Sequence, residues 1–397
     1  MRLLFVHERF GAFGGAEANI LLTAQEMLRR GHAVSIAHGG GEGSAAEWCR
    51  VFEDREALGE SPSPEAVERA LARFQPDVVY LHKFSDPRVL RALEGCGRPV
   101  VRMVHDHDLY CMRSYKYNVF SRRICTRAAS AYCVIPCGAP IGRAHGRGFP
   151  LRWVSYGAKR REIEMNKKFH RLVVASEYMR NELLHNGFAL GQIETHAPVP
   201  RPAASPDAPS FGTRNLIVYS GQIIRGKGVD VLLESLARVK SPFECLILGD
   251  GSQRAECELI SRRLGLEDRV HFAGFVPQAS IAESYRDASL AVMSSLWPEP
   301  FGAAGLEAMR CGLPVIAFDA GAISEWLLDG VNGFLVPWRD RDAFAERVDV
   351  LLQDKALARR LGQNGRQLAD ERFNFSAYID GLEGLFTRAA GQAPLRT

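Results

Sequence analysis

Two glutamates eight positions apart, Glu299 and Glu307, have the residue type and spacing to bind a ligand rich in hydroxyl groups. They lie in the stretch "PEPFGAAGLEAMRCGLP", where Glu299 stands among prolines and Glu307 follows a run of small residues. A carboxylate can accept hydrogen bonds from two neighbouring hydroxyls, so both side chains suit the diols of a sugar or a ribose. The spacing alone is equally compatible with a plain helix that has one exposed glutamate and one glutamate near its N-terminus.

The small residues between the two glutamates predict an anion site. Glu299 comes just after the predicted strand "LAVMS", and "FGAAGLEAMRCG" predicts a helix that ends at Gly312. The backbone N–H groups of Gly302, Ala303 and Ala304 would be unpaired donors in its first turn, and such donors favour a phosphate. The stretch therefore suits a sugar, a diphosphate and a ribose in series.

A second loop places cations at the end of a strand. The segment "SGQIIRGKGVD" (220–230) follows the predicted strand "LIVY" and opens the predicted helix "VDVLLESLARV". Arg225 and Lys227 lie between its glycines, where a diphosphate needs positive charge and backbone donors. A basic surface loop is the alternative, which the coincidence of glycines and cations disfavours.

A third glycine-rich turn lies between the first predicted strand and the first predicted helix. Gly14 and Gly15 in "GAFGGAEANI" permit unusual backbone angles and the close approach of a ligand. The turn is not a G-x-G-x-x-G motif, so a nicotinamide-dependent oxidoreductase is poorly supported.

The elements that must position these residues alternate between short β-branched runs and helical patterns, which is typical of βαβ units and parallel sheets. Helices are predicted from about Ala16, over 64–74 and over 176–187, where Ser176 is the N-cap and Gly187 the stop. The predicted strands are 2–6, 33–38, 78–81, 100–104, 172–176, 216–219, 244–248, 270–273, 290–294 and 314–318.

A proline-rich stretch, 198–212, predicts a linker between two domains, since it holds five of the twenty prolines. The predicted fold class is α/β, with two tandem doubly wound Rossmann-like domains over 1–200 and 201–397. Ligands of such folds bind at the carboxyl ends of the strands, which here predicts an interdomain cleft. We expect the last helix to pack back on the N-terminal domain.

Charge indicates the class of partner. The net charge of +4 is too small to predict nucleic acid as a partner, but 17 Lys/Arg face only five Asp/Glu between Arg98 and Arg180. The basic run "KRREIEMNKKFHR" (159–171) suggests contact with an anionic membrane surface or a lipid-linked acceptor. A solvated basic face is the alternative.

The expected location is the cytoplasm, with peripheral contact at the inner face of the membrane as a hypothesis. No apolar run reaches the roughly 18 residues of a membrane span. The apolar run in "MRLLFVHERF" is far shorter than the h-region of a signal peptide. Nine cysteines, an odd number, fit a reducing compartment better than a disulfide framework.

With the E-x7-E pair, "GGAE" near the start and "GQIIRGKG" after the linker, the chain resembles a retaining glycosyltransferase of family 4 (glycosyl transferases group 1) with the GT-B fold. The resemblance covers nearly the whole chain and is most specific over 298–337. It implies transfer of a sugar from a nucleoside-diphosphate sugar, with UDP or GDP favoured, to a hydroxyl of a glycan, lipid-linked or small-molecule acceptor. Cell-envelope polysaccharide or glycoconjugate synthesis is the expected setting, with 1–200 binding the acceptor and 201–397 the donor.

The resemblance also implies residue roles. Glu299 would hold the hydroxyls of the donor sugar, Glu307 would bind the ribose, and Lys227 would neutralise the diphosphate. The backbone that opens the helix would contact sugar and phosphate, and the loop around Phe275 and Val276 would frame the base. The implied catalytic residues are Lys227, Glu299 and His105; the implied donor-binding residues are Gly15, Gln222, Arg225, Lys227, Phe275, Val276, Glu299, Phe301, Gly302, Ala303, Ala304 and Glu307.

One position departs from the family pattern. Gln222 stands where the family usually has an arginine, which would pair with Lys227 to face the leaving diphosphate. Arg225 could supply the second charge, or Gln222 could act as a neutral donor. The implied mechanism is front-face attack without a protein nucleophile, a metal or any cofactor beyond the donor substrate.

The segment "VHDHDLYCMRSYKY" (104–117) allows two interpretations. His105 ends a predicted strand, and the family commonly has a histidine here, which implies a role near the sugar or the acceptor. Asp106 and Asp108 form a D-x-D, but three residues are a weak match to a metal site in a chain of this fold.

Four cysteines, Cys111, Cys125, Cys133 and Cys137, raise the alternative of a structural zinc. Their spacing lacks the usual two C-x2-4-C knuckles, to which only Cys133 and Cys137 come near, so ordinary buried thiols in a loop are the alternative.

Two other functions stay open. A GT-B module could bind a nucleotide sugar without turnover, which Gln222 favours. A GT-B nucleotide-sugar epimerase would need acid and base residues that the sequence does not identify.

Overall fold

The computed structural model describes residues 1–11, 14–40, 46–59, 61–118, 120–143, 151–199, 209, 211 and 214–391. The chain divides into two compact units: unit 1 comprises 1–116, 126–200 and 375–397, and unit 2 comprises 117–125 and 201–374. Most of the predicted linker 198–212 lies outside the described residues.

Unit 1 is built on a parallel sheet. The nine described strands of unit 1 are β1 (Arg2–His7), β2 (Ala33–His38), β3 (Asp54–Ala57), β4 (Val78–Leu81), β5 (Val100–Val104), β6 (Ile141–Arg143), β7 (Leu151–Trp153), β8 (Arg171–Val174) and β9 (Ile193–Thr195). Seven of them form the sheet, in the order β3-β2-β1-β4-β5-β8-β9, while β6 and β7 pair as an antiparallel hairpin. Its first six helices are α1 (Gly15–Arg29), α2 (Ala46–Val51), α3 (Pro64–Phe74), α4 (Pro87–Glu94), α5 (Tyr156–Asn166) and α6 (Glu177–His185).

Unit 2 repeats this plan with a six-stranded parallel sheet. Its strands are β10 (Leu216–Ser220), β11 (Glu244–Leu248), β12 (Val270–Gly274), β13 (Ala288–Met293), β14 (Val315–Phe318) and β15 (Gly333–Val336). They run in the order β12-β11-β10-β13-β14-β15. Its helices are α7 (Val229–Leu236), α8 (Arg254–Arg263), α9 (Gln278–Arg286), α10 (Ala303–Arg310), α11 (Arg341–Gln353) and α12 (Lys355–Arg372).

Burial explains why the central segments are strands. Every residue of β4 and of β13 is buried, as expected for parallel strands covered by helices on both faces. Capping explains where helices begin: Ser63 accepts a hydrogen bond from the Ala66 N–H at the start of α3. Ser176 does the same for the Met179 N–H at the start of α6, so the predicted N-cap is confirmed.

All ten predicted strands are confirmed, each to within two residues at either end. The sequence missed β3, β9, β15 and the β6–β7 hairpin. β3 has the sequence "DREA" and β9 has three residues, and both lie at edges of the sheet, where apolar patterning is weak. β15 begins with a glycine, which weakens the signal of a strand.

The last helix, α13 (Phe375–Gly391), belongs to unit 1 although the chain reaches it only after unit 2. Its Tyr378 hydroxyl accepts a hydrogen bond from Asn19 Nδ2 on α1 at 2.9 Å. The ring centre of Phe386 lies 4.9 Å from that of Tyr80 on β4. In the described part of the chain, no helix is both long and apolar enough to cross a membrane.

Candidate functional site

Unit 2 reverses its strand order between β10 and β13, because β10 continues to β11 on one side and β13 to β14 on the other. Open parallel sheets bind ligands at such a point, outside the carboxyl ends of the strands. The segments that leave these two strands are 221–228, between β10 and α7, and 294–302, between β13 and α10. They contain the cation motif and the first glutamate that the sequence singled out.

An ion pair joins the two segments. Lys227 Nζ donates a hydrogen bond to Glu299 Oε1 over 2.6 Å. The same oxygen accepts hydrogen bonds from Trp297 Nε1, at 3.0 Å, and from Ser295 Oγ. Lys227 Nζ also lies 5.0 Å from the centre of a Trp297 ring, within the range of a cation–π contact. The positions of both charged side chains are therefore fixed by several partners at once.

Glu299 carries a stabilised negative charge although its side chain is only 4% exposed. Burial by itself would raise the pKa of Glu299. The charge and hydrogen bond of Lys227, together with the hydrogen bonds from Ser295 and Trp297, outweigh burial and lower this pKa below its ordinary value. Glu299 is therefore an ionised hydrogen-bond acceptor at neutral pH.

Two glycines let the segments approach closely. A Cβ on Gly228 would lie 2.2 Å from the carbonyl oxygen of Ser294, and Gly228 has a φ of 67°, which disfavours other residues. A Cβ on Gly226 would lie 3.2 Å from the Trp297 ring. Ser294 Oγ also donates a hydrogen bond to the Lys227 carbonyl at 2.9 Å. The cationic turn is thus docked firmly on the segment that follows β13.

The start of α10 is held against a buried indole. Gly302, the residue before α10, has a φ of 90°. The indole Nε1 of Trp326 donates a hydrogen bond to the Phe301 carbonyl at 2.6 Å. A Cβ on Gly305 would lie 2.1 Å from the Trp326 ring, so the small residue is needed for this packing. The predicted helix over this motif is confirmed, with its first turn at Ala303.

The second glutamate lies further along the same helix. Ala303 is exposed, while Ala304 and Glu307 are half-buried. Burial is the main cause that raises the pKa of Cys311 to about 11, and the charge of Glu307 contributes to the increase. Glu307 also adds to the raised pKa of Tyr285, after burial. The carboxylate of Glu307 is therefore within electrostatic reach of both groups.

The other predicted donor-binding residues of unit 2 lie on loops at the carboxyl edge of its sheet. Gln222 and Arg225 are exposed in the segment after β10, and the Tyr219 hydroxyl donates a hydrogen bond to the Gln222 carbonyl at 3.1 Å. Phe275, just after β12, is 78% exposed, and Val276 beside it is half-buried. The Phe275 ring is thus a large apolar surface open to a ligand.

His105 and Gly15 lie in unit 1. His105 Nε2 lies 2.9 Å from His82 Nδ1, and the two rings stack with centres 5.2 Å apart. Beside them, His7 Nε2 lies 3.2 Å from Glu17 Oε1. The three histidines come from the carboxyl ends of β1, β4 and β5, which are neighbours in the sheet.

Burial keeps this histidine pair neutral. It lowers the pKa of His105 to about 3, and the nearby charges of His7 and Lys83 contribute in the same direction. Burial also lowers the pKa of His82 well below its ordinary value. Since a neutral imidazole has one donor and one acceptor nitrogen, the pair can hold a single defined hydrogen bond.

Gly15 is the first residue of α1. A Cβ at Gly15 would meet no atom within 4 Å, so the packing of unit 1 does not require glycine here. Open space beside a helix N-terminus leaves room for a ligand.

The two aspartates of the D-x-D face a lysine. Lys83 Nζ donates a hydrogen bond to Asp106 at 2.6 Å and lies 3.6 Å from Asp108. Burial and the Asp106 charge raise the pKa of Asp108 to about 6. Among the described residues, no three His, Cys, Asp or Glu side chains are grouped to hold a metal ion.

The same is found for the four cysteines of the zinc alternative. Cys111, Cys125, Cys133 and Cys137 are all described and half-buried, and they do not form a ligand cluster. They belong to a part of the chain with little regular secondary structure.

Several residues of the site escaped the sequence analysis. Ser295 and Trp297 complete the contacts of Glu299, and the signal that could have found them is their place in "SSLWPEP", directly after a buried strand. Arg122 is a second case. It makes two hydrogen bonds to Asp230, at 2.6 and 3.1 Å, and a third to the Arg225 carbonyl at 3.3 Å. Arg122 is one of two adjacent arginines in a segment without a regular pattern, so the sequence gives no signal that it pairs with Asp230.

Comparison with known families covers both halves of the chain. The model of Glycosyltransferase Family 4 matches residues 13–196, and the model of Glycosyl transferases group 1 matches residues 201–368. The chain belongs to the family 4, group 1 glycosyltransferases. The predicted family is confirmed, and the match over 201–368 includes both segments of the ion pair.

Curated relatives match this family 4 chain over part of its length. A D-inositol 3-phosphate glycosyltransferase of Xylanimonas cellulosilytica is 31% identical over 185 residues, 46% of this chain and 44% of the relative. An alpha-D-kanosaminyltransferase of Streptomyces kanamyceticus is 31% identical over 176 residues, 44% of this chain and 45% of the relative. The chain spans less than half the length of these relatives.

Solved structures match the family 4 chain over nearly its whole length. Anabaena Alr3699/HepE in complex with UDP and glucose has a TM-score of 0.75 at 18% identity, covering 98% of this chain and 100% of that one. Sucrose-phosphate synthase from Thermosynechococcus elongatus has a TM-score of 0.72 at 18% identity, covering 98% and 99%. These likenesses confirm the predicted GT-B fold of two Rossmann-like domains.

Proposed function

We propose that the chain is a retaining glycosyltransferase that moves a sugar from a nucleoside-diphosphate sugar to a hydroxyl acceptor. The observation that carries the proposal is the Lys227–Glu299 ion pair at the strand-order reversal of unit 2. It places a cation for a diphosphate beside an ionised carboxylate for sugar hydroxyls, where parallel sheets bind ligands.

UDP is the nucleotide we favour, with GDP as the second choice. HepE, which shares the fold, was solved with UDP and with UDP-glucose. In the proposed complex, Glu307 binds the ribose and the backbone of 301–304 contacts the diphosphate and the sugar. Phe275 and Val276 frame the base, for which the exposed ring of Phe275 is suited.

The proposed chemistry rests on stabilising the charge that develops on the leaving diphosphate. Lys227 and the first turn of α10 supply positive charge and N–H donors that are already in place, so little reorganisation is needed. Gln222 is neutral, so the second cation must come from another residue. We propose Arg225, which is exposed in the same turn as Lys227. Each charge-assisted contact is worth about 1.5–3 kcal/mol. The acceptor hydroxyl attacks from the side of the leaving group, and its proton passes to the departing phosphate, so neither a metal nor a protein nucleophile is required.

The acceptor is proposed to bind unit 1. His105 lies at the carboxyl edge of that sheet and, as a neutral imidazole, can accept or donate one hydrogen bond to a sugar hydroxyl. A glycan, a lipid-linked intermediate or a small molecule fits this description. A relative from Rhizobium meliloti is named for lipopolysaccharide core biosynthesis, which supports an envelope role by analogy.

We propose a cytoplasmic location with peripheral contact at an anionic membrane. The support is the basic run 159–171, part of which forms α5 and in which Arg160, Arg161 and Lys168 are exposed on the surface of unit 1.

Calorimetric titration with UDP, GDP and ADP tests the donor site first. Wild-type protein is compared with Glu307→Ala and with a control, Glu267→Ala. Glu267 is an exposed residue just before β12, at the amino edge of the sheet and therefore at the edge opposite the proposed site. We expect one nucleotide to bind, Glu307→Ala to weaken it and Glu267→Ala to leave it unchanged. If no nucleotide binds wild type at millimolar concentration, the proposal is wrong.

A turnover assay separates transfer from the other functions of this fold. Release of nucleoside diphosphate that requires an acceptor supports transfer, and isomerised donor sugar would mean an epimerase. The neutral Gln222 favours one alternative, a module that binds the donor without turnover. Nucleotide binding without release or isomerisation would establish it.

A further inference from the structure

Unit 1 has a groove of about 850 Å³ between α4 and α5 that the proposed transfer does not use. Gly95 and Gly157, which have no side chains, line it together with Met165. The charged residues that line it are Arg91, Arg160, Arg161, Lys168, Glu94 and Glu164. Four cations therefore face two carboxylates.

Ion pairs neutralise both carboxylates and leave the arginines available. Lys168 Nζ lies 2.6 Å from Glu94, and Lys167 Nζ lies 2.9 Å from Glu164. Arg91, Arg160 and Arg161 are exposed, and within the described residues none of the three forms an ion pair. The groove therefore carries a surplus of guanidinium groups, which bind phosphate through paired N–H donors.

A pair of exposed apolar residues stands next to the groove along the chain. Ile141 and Trp153 are register partners on the β6–β7 hairpin, and they are 53% and 73% exposed. Gly157, which lines the groove, is four residues after Trp153, in the first turn of α5. An exposed tryptophan that shortly precedes the arginines of α5 in the chain matches the boundary between headgroups and acyl chains, where indole rings partition.

We propose that this groove binds the phosphates of anionic lipid headgroups, while Trp153 and Ile141 insert at the bilayer interface. The inference deepens the proposed membrane contact by naming its site and its ligand, and it is independent of glycosyl transfer. A soluble phosphate ester would satisfy the arginines equally well, but it would leave the exposed Trp153–Ile141 pair without a partner. The apolar pair is the reason to prefer a membrane surface.

Vesicle sedimentation with the full chain tests the proposal. One vesicle is neutral phosphatidylcholine, and the other contains phosphatidylglycerol in part. The groove variant carries Arg160→Gln and Arg161→Gln together. Its matched control carries Arg262→Gln and Arg263→Gln, two adjacent exposed arginines of α8 in unit 2. Trp153→Ser tests the apolar pair, and calorimetry with glycerol phosphate tests a soluble ligand.

We expect wild type and the α8 control to bind the anionic vesicles and not the neutral ones. The groove variant should bind roughly 10- to 30-fold more weakly, since each basic residue near an anionic surface contributes on the order of 1 kcal/mol. Trp153→Ser should also weaken binding, and nucleotide affinity should be the same in all variants.

Four results would overturn the proposal: no binding to either vesicle, equal binding to both, equal losses in the two double variants, or glycerol phosphate bound as tightly as the vesicles. If the vesicle experiment fails while nucleotide binds normally, the proposed glycosyl transfer is unaffected. If the vesicles bind as expected while no nucleotide binds, the proposed lipid site is unaffected.

Discussion

Lys227 Nζ lies 2.6 Å from Glu299 Oε1, and this contact joins the turn after β10 to the segment after β13. The pair connects the two strands at which the sheet of unit 2 reverses its order. The proposed donor binding and the stability of unit 2 therefore depend on the same two side chains, and a single substitution cannot separate them.

Replacing Lys227 alone should damage both properties. Lys227→Met leaves the buried charge of Glu299 without its cation, which is expected to cost roughly 3–5 kcal/mol in free energy of unfolding. The double variant Lys227→Met with Glu299→Gln removes both charges, so it should recover most of the stability but none of the transfer. Urea unfolding and a transfer assay measure the two quantities. Recovery of transfer in the double variant would contradict the assigned role of Lys227.

Acid should weaken the fold through the pair of buried His82 and half-buried His105. Burial lowers the pKa of His105 from 6.5 to about 3, and the charges of His7 and Lys83 add to this decrease. The charges of Asp108 and Glu17 oppose it. Between these two pH values the folded chain therefore binds fewer protons than the unfolded chain. This contribution to stability is complete above the unfolded pKa and is lost as pH falls through the window. His105→Gln should flatten the dependence of unfolding free energy on pH between about 6.5 and 3.

Urea unfolding at a series of pH values measures this slope. His271→Gln, at an exposed histidine of β12, is the control and should keep the wild-type slope. An unchanged slope in His105→Gln would show that the pair does not resist protonation.

A cation at position 222 should improve the donor site. Gln222 is exposed in the turn that also carries Arg225 and Lys227, so an arginine there has room to reach the diphosphate. Gln222→Arg should tighten nucleoside-diphosphate binding by about 10-fold or more, the equivalent of one charge-assisted contact. Calorimetry with UDP measures the gain. Gln363→Arg, exposed on α12, controls for net charge, and an equal gain there would contradict a local effect.

Two glycines at helix starts should respond oppositely to alanine. Gly305→Ala brings a Cβ to 2.1 Å from the Trp326 ring and 2.8 Å from Met293 Sδ, so overpacking should cost about 1–3 kcal/mol. Gly15→Ala meets nothing within 4 Å, so thermal stability should be unchanged or slightly higher. Thermal melts compare the two variants, and a destabilised Gly15→Ala would reveal a packing role that the contacts do not indicate.

Arg122 is expected to support the cationic turn. Arg122→Ala removes two hydrogen bonds to Asp230 and one to the Arg225 carbonyl, so affinity for UDP should fall while the fold persists. A loss of about 1.5–3 kcal/mol in binding free energy would correspond to one charge-assisted contact. Arg123→Ala, at the exposed neighbour, is the matched control for calorimetry. Equal affinities in the two variants would exclude this supporting role.

The fold was largely predictable because its central strands are short, buried and rich in apolar residues. β4 is a continuous apolar run and β13 has one polar residue, Ser289, and such runs alternating with helical patterns indicate parallel strands. Edge strands such as β3 were missed since pairing on one side, rather than apolar content, makes them strands. The sequence analysis expected α13 to pack on the N-terminal domain, but not its contacts with Asn19 and Tyr80, which are distant from it in sequence.

The candidate site was predictable in its charged residues and less so in their neighbours. Lys227 and Glu299 stand in glycine- and proline-rich segments after strands, so the sequence pattern indicated both. Trp297 and Ser295 were missed because nothing in a sequence shows that an indole N–H and a hydroxyl converge on one carboxylate oxygen. Which residues surround a charge is decided by the close docking of two backbones at Gly226 and Gly228.

The position of α13 in the chain dictates the order in which the protein can be completed during synthesis. Tyr378 and Phe386, both buried in unit 1, leave the ribosome only after the whole of unit 2. Until then the faces of α1 and β4 that α13 covers remain open, and a nascent chain must keep them from aggregating. A fragment that stops at residue 199 would carry that uncovered surface permanently, whereas a fragment that joins 375–391 to it by a short linker would restore the cover.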